Sequence, residues 1–331
     1  MESIRLQMLV DRVGLRRMVS RHQNRSWRWW KDWIAGRTMG LLTVAASLLI
    51  VVMVTMLLDR ARPILASNSI SSLVQGEVWK PRQGLFGFWP FITGSVLVTL
   101  LAMLLSVPTA LLSAIYLADY SRSRAIIKPL VDLLASIPSV IYGLWGVLFV
   151  VPLVRDHISP WADRTLGDHW SIFQNTNPTG FGLLAAGFVL AIMTFPIIVA
   201  VSEEVLRSVP QGMREASLSL GATDWETTKL VVLRKAAPGL IAAVVLGFSR
   251  AFGETLAVAM VVGNRVKVPE TLFDPAYPLP ALIANNYGEM MSIPLYDSAL
   301  MTAALMLLFV VLLFNVGARS ILGRLNREQT T

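Results

Sequence analysis

The 331-residue sequence is 54% apolar and only 15% charged, contains no cysteine, and has a mean hydropathy of +0.59. A soluble domain carries roughly 25% charged residues, so this balance makes lipid the main solvent, and the missing thiols exclude disulfides, thiolate metal sites and cysteine nucleophiles. The net charge of +8 does not point to nucleic acid, because little soluble chain is left on which basic residues could gather into one face.

Residues 1–38 read as an interfacial amphipathic segment. Ile4, Met8, Val13, Leu15 and Met18 stand among arginines, and Trp27, Trp29, Trp30 and Trp33 form an aromatic anchor just before the first apolar run. A cleaved signal peptide is not expected, since 38 residues precede that run and the run is itself a full span.

Crossing about 30 Å of hydrocarbon takes about 20 apolar residues. Six runs qualify, near 39–58, 91–117, 129–154, 181–202, 238–263 and 297–317. The connections 59–90, 155–180 and 264–296 are rich in turn-forming and aromatic residues, as external loops are. The expected fold is therefore all-α: a polytopic six-helix membrane domain over 39–317 with a tail at 318–331.

Basic residues resist translocation and fix the orientation. Segments 1–38, 118–128, 203–237 and the tail hold nine, three, five and three Lys or Arg residues, against eight in the other connections. Both termini should face the cytoplasm.

No phosphate-cradling Gly-x-x-x-x-Gly-Lys-Ser/Thr loop occurs, so any ATP must be handled by a partner chain. His157 and His169 sit beside Asp156 and Asp168 in one loop, but their spacing matches no metal-ligand pattern. No nucleophile, base and orienting group assemble into a catalytic set. The chain reads as a conduit with no catalytic residues, metal or bound cofactor of its own.

Two features mark the spans. Run 238–263 carries Arg250 and Glu254. Arg250 lies about 17 Å from either end at about 1.5 Å per residue, too deep to snorkel, and Glu254 follows one turn later on the same face of a continuous helix. Such a pair either fixes helix packing or handles an anion: a guanidinium offers forked donors to an oxyanion, and a carboxylate accepts from a protonated one. Flanking Gly247 and Gly253 permit close helix approach. Run 129–154 holds Pro138 in mid-span, which should bend or break its helix just before Ser139 and Tyr142. Broken helices at this depth line transport sites or merely kink.

In the loop 203–237, Arg214 to Leu220 is helix-compatible, Gly221 can end that helix in a left-handed cap, and Asp224 can cap the next one. Glu215, Ala216 and Ser217 stand three residues before Gly221. This resembles the EAA loop of ABC importer permeases, whose coupling helix docks in a groove of the ATPase subunit. Where that pattern continues to Ile-x-Leu-Pro, this chain has Val231-Val232-Leu233-Arg234.

Ile137-Pro138-Ser139-Val140-Ile141-Tyr142-Gly143, Met193-Thr194-Phe195-Pro196-Ile197-Ile198 and Arg250-Ala251-Phe252-Gly253-Glu254-Thr255 look like the phosphate-specific permeases of that family. Trp79-Lys80-Pro81, before Gly94-Ser95, looks more like the PstC type than the PstA type. The resemblance covers about residues 75–320. It implies a MetI-like bundle in the bacterial inner membrane and a heterodimer with a PstA-type permease. It further implies a PstB-type ATPase dimer holding ATP and Mg, and a PstS-type phosphate-binding protein outside. Arg250 and Glu254 are the residues it marks for phosphate movement, with Ser139, Tyr142 and Thr255 along the pathway and Arg214, Glu215, Ala216, Ser217 and Gly221 in the coupling contact. Three alternatives stay open: a permease for sulfate or molybdate, an ion-coupled secondary transporter, and a sensory subunit.

Overall fold

The computed structural model describes residues 2–289 and 292–328, with the side chains of 2–26, 28 and 321–328 outside the description. The amphipathic reading of residues 4–19 and most of the tail therefore lie outside the described side chains. Helix α1 runs from Glu2 to Ser67. Residues Met1–Asp59 and Arg60–Thr331 form two separate units. In the first, the apolar stretch from Met39 to Leu58 is exposed, as are Trp27, Trp29, Trp30 and Trp33, so its burial must come from lipid or another chain.

In the second unit, α2 (Ile70–Gln75) leads into a hairpin pairing β1 (Trp79–Lys80) antiparallel with β2 (Leu85–Phe86). The helices then follow in order: α3 (Trp89–Ile115), α4 (Arg124–Ser136), α5 (Ser139–Trp145) with a helical continuation to Gly167, and α6 (Leu183–Arg207). After these come α7 (Gln211–Ser219), α8 (Asp224–Thr227), α9 (Leu233–Phe252), α10 (Leu256–Val261), α11 (Leu279–Asn286) and α12 (Tyr296–Glu328). Five-residue π turns occur at Tyr116–Tyr120, Gly146–Val150, Val154–Ile158, Asp163–Gly167 and Thr228–Val232.

Among the described residues, six helical stretches are long and apolar enough to cross a membrane: Trp29–Ser67, Trp89–Tyr120, Ser139–Gly167, Leu183–Arg207, Asp224–Phe252 and Tyr296–Ser320. The number agrees with the sequence reading, but the third and fifth stretches are displaced at both ends, the third running on to Gly167 instead of 154 and the fifth beginning at Asp224 instead of 238. The third span starts at Ser139 instead of 129, because residues 124–136 fold as a separate helix ending before Ile137 and Pro138. The fifth ends at Phe252 instead of 263, because the helix closes at Gly253.

Helix α6 is the axis of the bundle. Its Ala185, Ala186, Val189, Leu190 and Ile198 are buried against α3, α9 and α10. A second cluster gathers Ile64, Leu73, Phe88, Phe91, Leu279 and Leu300, with Trp79 edge-on to Phe91. The buried Ser95 hydroxyl receives the Leu279 N–H at 2.8 Å and donates to Phe91 O, satisfying the first donor of α11.

The loops after α5 and α10 are knotted by Asp274, which is 3% exposed. It accepts from Thr176 Oγ1 at 2.6 Å, Glu270 N at 2.9 Å, Thr271 N at 3.2 Å and Lys267 Nζ at 3.4 Å. Burial pushes its carboxyl up, but these donors and the lysine charge outweigh it and hold the group below the usual carboxylate range.

Candidate functional site

Two helix breaks define the site. At the first, α9 stops at Gly253 (φ −89°, ψ −1°), and Glu254 N–H turns back to Ala251 O at 3.2 Å before α10 begins at Leu256. Arg250 stands in the last turn of α9, exposed. The expected stacking of Arg250 and Glu254 on one face is thereby corrected. An i,i+4 pair needs a continuous helix, and this one ends between the two residues; they form no ion pair. Glu254 is half-buried and its Oε1 accepts from Ala257 N at 3.4 Å, while Thr255 Oγ1 donates to Gly253 O at 3.3 Å.

Arg250 has no hydrogen-bond or ion-pair partner among the described residues, and the terminal carbonyls of α9 favour its positive charge. Gly247 is a close-approach glycine, as its Cβ would meet Ile198 Cγ1 at 2.6 Å. Gly253 is not: an added Cβ would meet only Ser249 O at 3.5 Å, ordinary contact.

At the second break, Ile137 and Pro138 are extended (Pro138 φ −58°, ψ 140°), and α5 starts at Ser139, which is half-buried. Tyr142 is 7% exposed and its hydroxyl donates to Leu134 O at 2.8 Å, one of the last carbonyls of α4. The phenol is thus committed to holding the break together.

The helices that start at the two breaks run side by side. A Cβ on Gly143 would meet Ala257 Cα at 3.0 Å, and one on Gly146 would meet Val261 Cγ1 at 2.8 Å, so the two advance in the same direction. Ser139 and the Glu254–Thr255 turn therefore belong to the same end of this pair.

Two neighbouring features escaped the sequence reading. Asn315 Nδ2 donates to Ser249 Oγ at 3.4 Å and to Val311 O at 2.8 Å, while Phe314 stacks on Phe248, joining α12 to the end of α9 next to Arg250. A lone asparagine in an apolar span was the available signal. Glu203, 1% exposed, receives Arg124 Nε at 2.6 Å and Lys128 Nζ at 2.7 Å, with Arg207 Nε at 3.7 Å. Its signal was a carboxylate closing an apolar run, with basic residues in the adjacent loop.

The loop 203–237 folds as helix α7, an exposed Leu220 (89%), and Gly221 at φ +88°, the left-handed region that favours glycine. The cap of the next helix is Thr223, not Asp224. Glu226 N donates to Thr223 Oγ1, and the Glu226 carboxylate accepts from Thr223 N, a reciprocal box.

Arg214 is an anchor. Its Nη1 donates to Asp119 Oδ1 at 2.6 Å and its Nη2 to Leu206 O at 2.8 Å, and Asp119 Oδ2 also accepts from Thr228 Oγ1. Ser217 Oγ accepts from Thr227 Oγ1 at 2.9 Å. Glu215 and Ala216 are exposed, beside the exposed apolar side chains of Met213, Leu218, Leu220 and Trp225. An apolar ridge thus stands exposed on a braced loop.

Residues 106–330 match the family described as binding-protein-dependent transport system inner membrane component. The phosphate transport system permease protein PstC of Xylella fastidiosa is 36% identical over 297 residues, 87% of this chain and 90% of that one. PstC of Pasteurella multocida is 36% identical over 76% of this chain and 79% of that one, and the probable ABC transporter permease YqgH of Bacillus subtilis is 32% identical over 92% and 95%. A solved methionine ABC transporter aligns over 72% of this chain and 94% of that chain, at 22% identity and a TM-score of 0.49. A family match over most of the chain, six membrane-spanning helices and these relatives together make this a multi-pass inner-membrane protein that belongs to the ABC importer permeases, in their PstC branch.

Proposed function

We propose that the chain is the transmembrane permease subunit of an ATP-driven phosphate importer, lining half of the pathway and coupled through residues 203–237 to a separate ATPase. The observation that carries this reading is Arg250, a guanidinium left exposed, and unpaired among the described residues, at a break in a membrane-crossing helix. With α9 ending two residues past it, Arg250 is not about 17 Å from either end of a continuous span as expected; it stands at a helix end, where a ligand or an aqueous path can reach its charge.

Arg250 offers forked donors to the oxygens of phosphate, and Glu254 accepts from the proton that phosphate still carries near neutral pH. Sulfate has no such proton to give. Ser139 and Thr255 line the same end of the paired helices. Tyr142 holds the second break in place, and Arg214 braces the coupling loop, presenting Glu215, Ala216 and the apolar ridge to the ATPase.

The excess of Lys and Arg in 1–38, 118–128, 203–237 and the tail supports a cytoplasmic position for the loop and both termini. The names of the relatives support a PstA-type permease, a PstB-type ATPase with its ATP and Mg, and a PstS-type binding protein as partners.

Phosphate uptake into proteoliposomes holding the full complex, with and without ATP, tests the reading. Arg250→Ala should lower ATP-dependent uptake about 100-fold or more, since each charge-assisted hydrogen bond is worth about 1.5–3 kcal/mol. Wild-type uptake in that variant, or preferential uptake of sulfate, would overturn the site or the substrate.

A further inference from the structure

The proposed transport site leaves one buried charge unused. Glu203 lies in the last turns of α6, 1% exposed, and accepts from Arg124 Nε at 2.6 Å and Lys128 Nζ at 2.7 Å, two residues one turn apart on α4. Burying a carboxylate is expensive even when it is paired, and apolar residues often fill such a position at no loss of stability. What a buried pair supplies is a fixed geometry between the elements that carry it.

The two helices also pack against each other, but α4 lies at the surface of the bundle. No residue of α4 is fully buried. Ile127 and Val131 pack against the core half-buried, while Ile126, Leu130 and Leu133 point outward. The polar grips on α4 are the Glu203 clasp near its start and the Tyr142 hydroxyl on Leu134 O near its end. Beyond that end lies the Ile137–Pro138 break.

The other side of the clasp is equally placed. Three residues after Glu203, Leu206 O accepts from Arg214 of α7. One helical turn of α6 thus holds the coupling loop with a backbone carbonyl and α4 with a side chain. A displacement of α7 carries Leu206, then Glu203, then Arg124 and Lys128, and α4 transmits it to the broken helix.

We infer that Glu203 is a positioning residue that locks α4 to the coupling loop, so that the Pro138 break moves with α7. This rests on the importer reading above. Coupling between sites is demonstrated by a two-state element that both sites bias, so the test must read motion as well as transport.

The chain has no cysteine, so spin labels at Leu133→Cys and Gln211→Cys are its only labelled thiols once the partner subunits are used in cysteine-free form. In the full complex, the wild-type label distance between α4 and α7 should be narrow and the same with and without ATP. Glu203→Gln should broaden it or make it ATP-dependent, and should lower phosphate imported per ATP hydrolysed about tenfold or more while hydrolysis stays within about twofold. Lys128→Arg, which keeps the clasp, should retain both wild-type values.

A triple neutral variant, Glu203→Gln with Arg124→Gln and Lys128→Gln, leaves only the half-exposed Arg207 without its acid and should reproduce the loss even if Glu203→Gln alone assembles poorly. A wild-type distance that itself changes with ATP would overturn the joint, as would variants that keep the narrow distance or the wild-type ratio. Failure of both variants to assemble would make the clasp a folding element and overturn it too. Absence of ATP-dependent phosphate uptake in the wild type would instead refute the importer reading, while the label distances would still report on the clasp.

Discussion

Replacing Gly143 by alanine puts one methyl where α5 and α10 leave no room for it. The new Cβ would stand 2.6 Å from Met260 Sδ and 3.0 Å from Ala257 Cα. The thioether can swing aside, since methionine has three rotatable bonds. The Ala257 backbone cannot, and ordinary contact begins near 3.4 Å, so the helices must part by a few tenths of an ångström. Overpacking of this kind costs about 1–3 kcal/mol, while alanine gains about 1 kcal/mol over glycine in a helix. The net effect is a loss of about 0–2 kcal/mol. Because α10 begins just after Glu254 and Thr255, the displacement also reaches the proposed site, and uptake should fall. Gly317→Ala is the control: no atom lies within 4 Å of its Cβ, so only the helix gain applies. Thermal unfolding of the purified complexes, with uptake in parallel, measures both. Gly143→Ala as stable as Gly317→Ala, with wild-type uptake, would refute the reasoning.

Two other substitutions probe the loops. Gly221→Val forces a β-branched residue to φ +88°, a strain of about 1–2 kcal/mol that should reshape the α7–α8 corner and lower phosphate imported per ATP; an unchanged ratio would count against the coupling role. Asp274, whose folded pKa is lowered, adds stability that is full above about pH 4 and is lost as pH falls through the folded value. The drop in unfolding temperature from pH 7 to pH 3 should therefore be smaller in Asp274→Asn, and equal drops would exclude this knot as a source of acid sensitivity.

The six spans were legible because lipid imposes a length and a composition on each crossing, and both can be read one residue at a time. Gly221 was legible for a local reason, since only a left-handed residue ends α7 where it does. The site was legible in its residues but not in its geometry. Arg250 and Glu254 are four apart in any reading, yet whether they stack depends on α9 ending at Gly253, and Gly247, also within the apolar run, does not end it. The Tyr142 hydroxyl was open to a ligand on paper and is taken by Leu134 O in space. Glu203 could be suspected from a carboxylate closing an apolar run, but its partners lie 75 and 79 residues away in sequence, so the pairing itself could not be read.

The π turns carry a consequence for how these helices can move. In four of them the closing N–H reaches back five residues, as Ser121 N does to Tyr116 O and Leu233 N to Thr228 O, so one extra residue is absorbed without lengthening the helix by a full step. Everything beyond such a turn is out of phase with what precedes it by about 100°. If the wide turn migrates along the helix, the residues it passes rotate by that angle while the ends stay still and the hydrogen bonds are only exchanged. The stretch from Ser139 to Gly167 holds three of these π segments, so the helix that opens at the Pro138 break turns successive parts of its length toward its neighbours with shifted phase.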